Sequence, residues 1–461
     1  MKVKNSEKGQ IIVILALSMV AIIAITALAI DGSLIYNVRR QDQNTADSAA
    51  LAGAGAAANY LKNITSGTLI CGTQVGTDVT LLAVNAVQNA VAADGISAAD
   101  MPKLTNDTAL AAAEQGFTVT CKWYETLGTQ YLDVHVKISS EMETNFGGVI
   151  NQDTLSTSVE STARVYPRQP FAYGNGLVSL NDTTCGNGKG GIYFLGGGQL
   201  GKKGTYITNG GVFSNSCISA QSGIVQVTGG AIQYNKDFQC TGCAANPKVQ
   251  PEPIPATTKL PKNMYPAPTC PDKKAGNTHS SNSYNGTIYP GWYTKGISTP
   301  NGAALKLEAG LYCIEGGMTN NSKSSITGNG VTLYFKSGDV KLNQNNAGDI
   351  ILTSCTEKTC GREVDIQNGW SSVQGMLMYF DNYAADVQFN GSSTNIFKGT
   401  VFGPLANFTL NGNTDTLSDE IYNFSTQIIG NSILVNGNAM LVMNLNSSDF
   451  SSMDPSLSLV K

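Results

Sequence analysis

The chain has 461 residues, 13% of them charged, with 50 glycines and a formal net charge of −4. A charged fraction about half the usual ~25%, beside a glycine content above the usual ~7%, argues against a solvated helical bundle, and the chain lacks the basic footprint of a nucleic-acid binder. The length suggests about three domains at ~150 residues each, and abundant Gly, Asn, Ser and Thr suits an extracellular β-rich protein with many tight turns.

Residues 1–10 form a short tail carrying Lys2, Lys4 and Lys8. Residues 11–30 then run without a charge, from Ile11 through Leu15, Met19 and Ile23 to Ile30, and Asp31 ends the run. Twenty residues at about 1.5 Å each match the ~30 Å hydrocarbon core, so a transmembrane helix anchored in the lipid bilayer is expected. The basic tail places the N-terminus inside and the bulk outside; Arg39 and Arg40 weaken that bias. A signal peptide cut at Ala27–Ala29 is the rival reading, but its apolar region is usually ~7–15 residues, which favours a retained anchor. A prepilin-type cut after Gly9 would look for a Glu where Ile14 stands, and is not expected.

The helical pattern continues over 31–62. Ala46, Ala50, Ala54 and Ala58 form one i, i+4 row, and Ala49, Gly53 and Ala57 form a second. Such rows let another backbone come close, so the helix is expected to dock another helix through small residues. The plainer alternative is an Ala-rich helix of high propensity.

The stretch "KGQIIVILALSMVAIIAITALAIDGSLIY" followed by "RRQDQNTADSAALAGA" resembles the N-terminal module of Tad/Flp pilus-assembly proteins of the TadG-like kind. The residues that carry the likeness are Gly9, Gln10, Asp31, Tyr36, Arg39, Arg40, Gln43, Asp47, Ala49, Ala50, Leu51 and Ala52. Two departures are Gly32 directly after Asp31 and Asp42 where an apolar residue is common. The resemblance implies a pilus-associated envelope protein whose helix meets other pilin-like or assembly subunits. It implies no active site.

Residues 63–170 read as a small α+β unit. "TLLAVNAVQNAVAADGI" (80–96) has apolar residues at helical spacing and a Gly stop. "FTVTCKWY" and "YLDVHVKISS" alternate as half-buried strands around a turn at Gly128, and "TLSTSVESTARVYP" reads as a third strand. His135 lies in mid-strand, where a packed histidine is the ordinary case.

From about residue 174 short β-runs are punctuated by Gly and Asn. "YITNGGV" (206–212) and "VQVTGGA" (225–231) align at an offset of 19, as do "YPGWYTKGI" (289–297) and "EAGLYCIEG" (308–316). "VQFNGS" (387–392), "FTLNGN" (408–413) and "ILVNGN" (433–438) recur at 21 and 25. Periods near 20 are the mark of solenoid coils, against the alternative of a β-sandwich with hairpin turns. Val331, Leu333, Phe335, Val340 and Leu342 are expected to face inward. The sections run over 174–244 and 289–450, with a Pro-rich strap at 245–288 and a tail at 451–461.

All ten cysteines follow the apolar run: Cys71, Cys121, Cys185, Cys217, Cys240, Cys243, Cys270, Cys313, Cys355 and Cys360. An even count on one side of a membrane reads as disulfides in an oxidising compartment. Connectivity stays open; the cheapest local guesses are Cys71–Cys121, Cys185–Cys217 and Cys355–Cys360. Zinc at "CTGC" lacks a second ligand pair, with His135 and His279 the only histidines.

Chemistry finds no seat in the sequence. Asp339, Asp349, Asp365, Asp381, Asp386, Glu315, Glu357 and Glu363 are scattered, though neighbouring coils could bring them together. "GNGKGG" (186–191) and "GGGQLGKKG" (196–204) lack a phosphate-loop ending. No cofactor, metal or catalytic residue is expected. Trp292, Tyr293 and Trp370 could stack on sugars, with core packing the commoner role. The sequence therefore describes a mainly β protein: a long N-terminal α-helix beginning as a transmembrane anchor, a small α+β unit, and a disulfide-braced parallel β-helix (solenoid) tail. Its expected place is the bacterial envelope, spanning the cytoplasmic membrane once, with a structural or adhesive role toward other cells, host or abiotic surfaces, or surface polysaccharide. The rival is a tethered carbohydrate-active or carbohydrate-binding β-helix, which convergence of three or more carboxylates on one solenoid face would favour.

Overall fold

In the computed structural model the described residues are 10–63, 71–124, 129–147, 152–183, 190–195, 204–221, 224–241, 249–250, 253–256, 259–321, 323–342, 348–390, 395–411, 424–436 and 441–460. The chain divides into two compact units, one of 1–169 with 453–461 and one of 170–452. The second is thus inserted between two pieces of the first.

The first unit begins with one unbroken helix, α1, Gln10–Asn63. No proline interrupts these 54 residues, and Ala, Leu and Gln supply propensity throughout. Helix α2 (Gln74–Ala93) turns back along it, since Asp78 accepts from Tyr60 while Ala83 and Val87 lie against Gly53. A short helix, α3 (Asp107–Ala112), starts where Asn106 Oδ1 accepts the Ala109 N–H at 2.8 Å.

Strands β1 (Gly116–Tyr124), β2 (Thr129–Glu143) and β3 (Thr154–Tyr166) follow as an antiparallel meander. Leu132, Val134, Val136 and Ile138 alternate into the core beside Val79, Val87 and Ala50. On the opposite face Arg164 holds Asp133 with two charged hydrogen bonds of 2.7 and 3.0 Å. The turn expected at Gly128 lies outside the described residues. Residues Ser456–Val460, expected as part of an appended tail, instead form a fourth strand antiparallel to β3. Five residues of alternating Ser and Leu are too short to stand out as a strand, and their partner lies almost 300 positions upstream.

The second unit is a parallel solenoid whose strands stack in three ladders. One buried ladder runs Tyr312, Leu333, Met378, Val401, Ile428, Leu177, Val212, Ile232. A second runs Ile297, Met318, Val340, Val387, Phe408, Ile433, Ile192, Ile218. A third runs Leu352, Phe397, Phe424, Met443, Ile207, Val227. The expected inward residues Val331, Leu333, Phe335, Val340 and Leu342 all lie in this core.

Chain order and spatial order differ. The last coil, 424–444, stacks on the first, 177–208. The chain therefore enters mid-solenoid, winds outward to Ile254, crosses to the far end at Thr278, and winds back. The exit meets the start where the Phe171 N–H donates to the Ser451 carbonyl at 3.0 Å. Ten inter-strand steps separate Ile254 from Thr278, about 48 Å at ordinary strand spacing. The intervening residues reach about 76 Å when extended, so the crossing needs no strain.

That crossing is the Pro-rich segment. Leu260 exchanges two hydrogen bonds with the Asn215 side chain, both 2.7 Å. Tyr265 then packs on Phe402 and Tyr379, Cys270 is bonded to Cys313, and the Trp292 indole donates to the Pro271 carbonyl at 2.6 Å. The strap thus passes successive coils in order, along an outward ladder of Phe402, Tyr379, Tyr334, Cys313 and Trp292 that is buried throughout.

Registers refine the repeat. The 387/408 and 408/433 pairings fall at 21 and 25 as aligned. The 206 segment pairs at 20 and the Gly291 segment at 21, not 19. Corner length varies by a residue or two while the strand keeps its inward pattern, so textual alignment of corner glycines slips where structural pairing does not.

Candidate assembly site

The front of α1 is apolar and bare. Leu15, Met19, Ile23 and Ile30 are all exposed, and the helix is long and apolar enough to cross a membrane. Ile11 lies in the helix, but its side chain is outside the described residues. A side-chain surface of this kind has no stable place in water.

Polarity returns at Asp31, which is only 4% exposed. Its carboxylate accepts the backbone N–H groups of Asn145 and Phe146 at 3.0 and 3.1 Å. The chain has turned this charge toward the β2–β3 hairpin. Further along, Ser140 Oγ donates to Asp42 Oδ1 at 2.9 Å, and the second Asp42 oxygen is buried with no partner among the described residues. Gln43 donates to Asp47 Oδ1 at 2.8 Å. Tyr36 and Arg39 are exposed. So Asp31 and Gln43 are both spent on the protein's own contacts, while Tyr36 and Arg39 point outward.

The small-residue row needs a correction. Ala46, Ala50 and Ala54 are fully buried inside their own unit. They do not wait for a second subunit, because α2 and β2 already occupy that face. Gly53 shows how tightly: a Cβ there would lie 2.7 Å from Val87 Cγ2, 3.0 Å from Val134 Cγ1 and 3.2 Å from the Ala83 carbonyl oxygen. The row does pack a helix closely, but an intramolecular one.

Cys71–Cys121 and Cys355–Cys360 are bonded within their units, and Cys270–Cys313 rivets the strap. Cys217 and Cys240 are each disulfide-bonded, while Cys185 and Cys243, and with Cys185 the expected Cys185–Cys217 pairing, lie outside the described residues. The strap rivet escaped the sequence reading because Cys270 lies on the irregular crossing and meets Cys313 only where that crossing passes over a coil.

Among the described solenoid residues Asp339, Asp381 and Asp386 lie near one another around Tyr383, while Glu315 and Asp365 are ion-paired apart from them. Asp381 pairs with Lys336, Glu315 with Lys273 and Asp365 with Arg362. Asp339 accepts the Asp386 N–H. Among the described residues no group of three metal-ligating side chains meets. Trp292, Tyr293 and Trp370 are all buried, the commoner packing role, though Trp370 also lines the cleft at Tyr289. An open cleft of about 820 Å³ lies where the strap joins the far end, lined among others by His279, Tyr289, Arg362, Asp365 and Asn368. Arg362 covers the Tyr289 ring at 4.2 Å and is held bidentately by Asp365. Burial lowers the affinity of His279 for its proton, so the cleft holds it neutral near pH 7.

These features define a class: a protein with a bare apolar helix long enough to span a membrane, a clamped α+β unit and a β-solenoid. Residues 9–57 match the family model Tad, described as Putative Flp pilus-assembly TadE/G-like. The match covers the helix that crosses from the bare apolar run into the buried Ala/Gly row. No curated protein and no solved structure matches the chain.

Proposed function

We propose that this protein is a membrane-rooted, extracytoplasmic structural component of a Tad/Flp-type pilus system, with its solenoid as the displayed body. The observation that carries the reading is the coincidence of the family match with one continuous helix, bare and apolar at its front and clamped to its own domain behind. The disulfides support an extracytoplasmic position for the chain from residue 71 onward, and the basic tail agrees with an N-terminus inside. A rigid solenoid suits display or mechanical load.

Immunogold labelling of intact cells with an antibody to the solenoid tests this, with and without the pilus-assembly ATPase. Label on filaments or at their feet that disappears without the ATPase supports it. Label that is unchanged removes the pilus from the account. The polar, aromatic-flanked cleft at Tyr289 favours a second role, saccharide capture by the same body. Loss of polysaccharide retention in a Tyr289→Ala variant would support that role, and unchanged retention would end it.

A further inference from the structure

We infer that Asn145–Gly147, the described end of the β2 side of the β2–β3 hairpin (its tip below), is a membrane-surface contact, with the Phe146 ring seated in the interface of the same bilayer that α1 crosses. This rests on the reading of α1 as a membrane span. Two tie points fix the tip's height. Ser140 is bonded to Asp42, and Asn145 and Phe146 are bonded to Asp31. Asp31 to Asp42 is about 16 Å along a helix axis, and Ser140 to Asn145 is about 17 Å along a strand. The lengths agree, so the hairpin lies alongside the helix and its tip comes level with Asp31. That residue is the first polar group after the apolar run.

The chemistry at that level suits a lipid surface. Phe146 is a large apolar ring left 44% exposed, and Ile30 and Leu34, which flank Asp31 on α1, are 40% and 37% exposed. The Asp31 carboxylate is turned inward onto the tip's backbone and so does not face the lipid. Tyr36 lies about 7–8 Å further along the axis and Arg39 about 12 Å, both exposed. The polar layer of a bilayer is about 5–8 Å deep on each side. Tyr36 therefore falls at the outer edge of it, the usual station of an interfacial aromatic residue, and Arg39 lies beyond it. Continuity with the exposed apolar helix is what selects a bilayer as occupant, in preference to a second protein. Glu143 and Asp153 are exposed beside the tip and are repelled by anionic lipid, so the attraction comes from the ring and salt does not weaken the contact.

The full-length chain, reconstituted in phosphatidylethanolamine–phosphatidylglycerol vesicles, tests this with three single labels of an environment-sensitive fluorophore. They sit at Ile23→Cys in the span, Phe146→Cys at the tip and Thr77→Cys in the first turn of α2. All cysteines among the described residues are disulfide-bonded, and a folded-state control is retention of Cys71–Cys121. The expected result is a shift to shorter wavelength and quenching by shallow nitroxide lipid at position 146, quenching by deep nitroxide lipid at position 23, and neither at position 77. A tip label quenched by aqueous iodide as fully as that at position 77, with position 23 still lipid-quenched, overturns the contact and leaves the span intact. An aqueous label at position 23 overturns the span and the contact with it.

Discussion

Gly53→Ala places two principles in opposition. Replacing a mid-helix glycine by alanine ordinarily stabilises by about 0.5–1 kcal/mol. Here the new methyl would meet Val87 Cγ2 at 2.7 Å, Val134 Cγ1 at 3.0 Å and the Ala83 carbonyl at 3.2 Å. A helical valine has one strongly preferred rotamer, so Val87 cannot swing clear, and the carbonyl belongs to backbone. Overpacking of this kind costs about 1–3 kcal/mol. The net expectation is a loss of about 0.5–2 kcal/mol, the difference between those ranges. Amide hydrogen exchange across Val79–Val91 in the full-length protein, held in detergent, reads it directly. Val87→Ala removes the nearest methyl, so the double variant should be less destabilised than the two single losses summed, with a coupling of about 0.5 kcal/mol or more. Increased protection in Gly53→Ala, or a cycle additive within about 0.3 kcal/mol, would refute the close approach of α1 and α2.

Three further outcomes follow from the same contacts. Asp31→Ala strands two backbone donors, and should lower the stability of the hairpin tip by about 1.5–3 kcal/mol, seen as faster exchange at Asn145 and Phe146 with β1 unaffected. Opening Cys270–Cys313 by Cys270→Ser with Cys313→Ser frees a loop of 43 residues, a loss of up to about 4 kcal/mol in the chain-entropy account; limited proteolysis should then cut the strap first, and an uncut strap would show that Tyr265 and Leu260 hold it alone. The Lys122 ammonium bonded to Asp107, helped by the Thr118 hydroxyl and opposed by burial, holds that carboxyl below its ordinary value. The folded state then binds this proton more weakly than the unfolded state. The contribution is present above about pH 4 and is lost as pH falls through the depressed value. Asp107→Asn should flatten acid unfolding of the first unit below about pH 4, read by circular dichroism, and an unchanged acid limb would count against the pair.

Sequence alone settled whatever depends on local pattern or composition. Twenty uncharged residues specify a membrane-length helix because hydrocarbon thickness and helical rise are fixed. Small residues at i, i+4 specify close packing because only they admit it, and alternation with turn residues near every twentieth position specifies stacked strands. Tertiary structure decided what each pattern touches. The Ala/Gly row found α2 and β2 of its own unit, Asp31 found a hairpin tip 114 positions on, Ser456–Val460 closed a sheet begun before residue 170, and the solenoid put its last coil against its first. Each of these joins residues with no shared local signal, and the choice among partners rests on chain closure, shape and the reach of a Pro-rich crossing, quantities that exist only once the whole chain has folded.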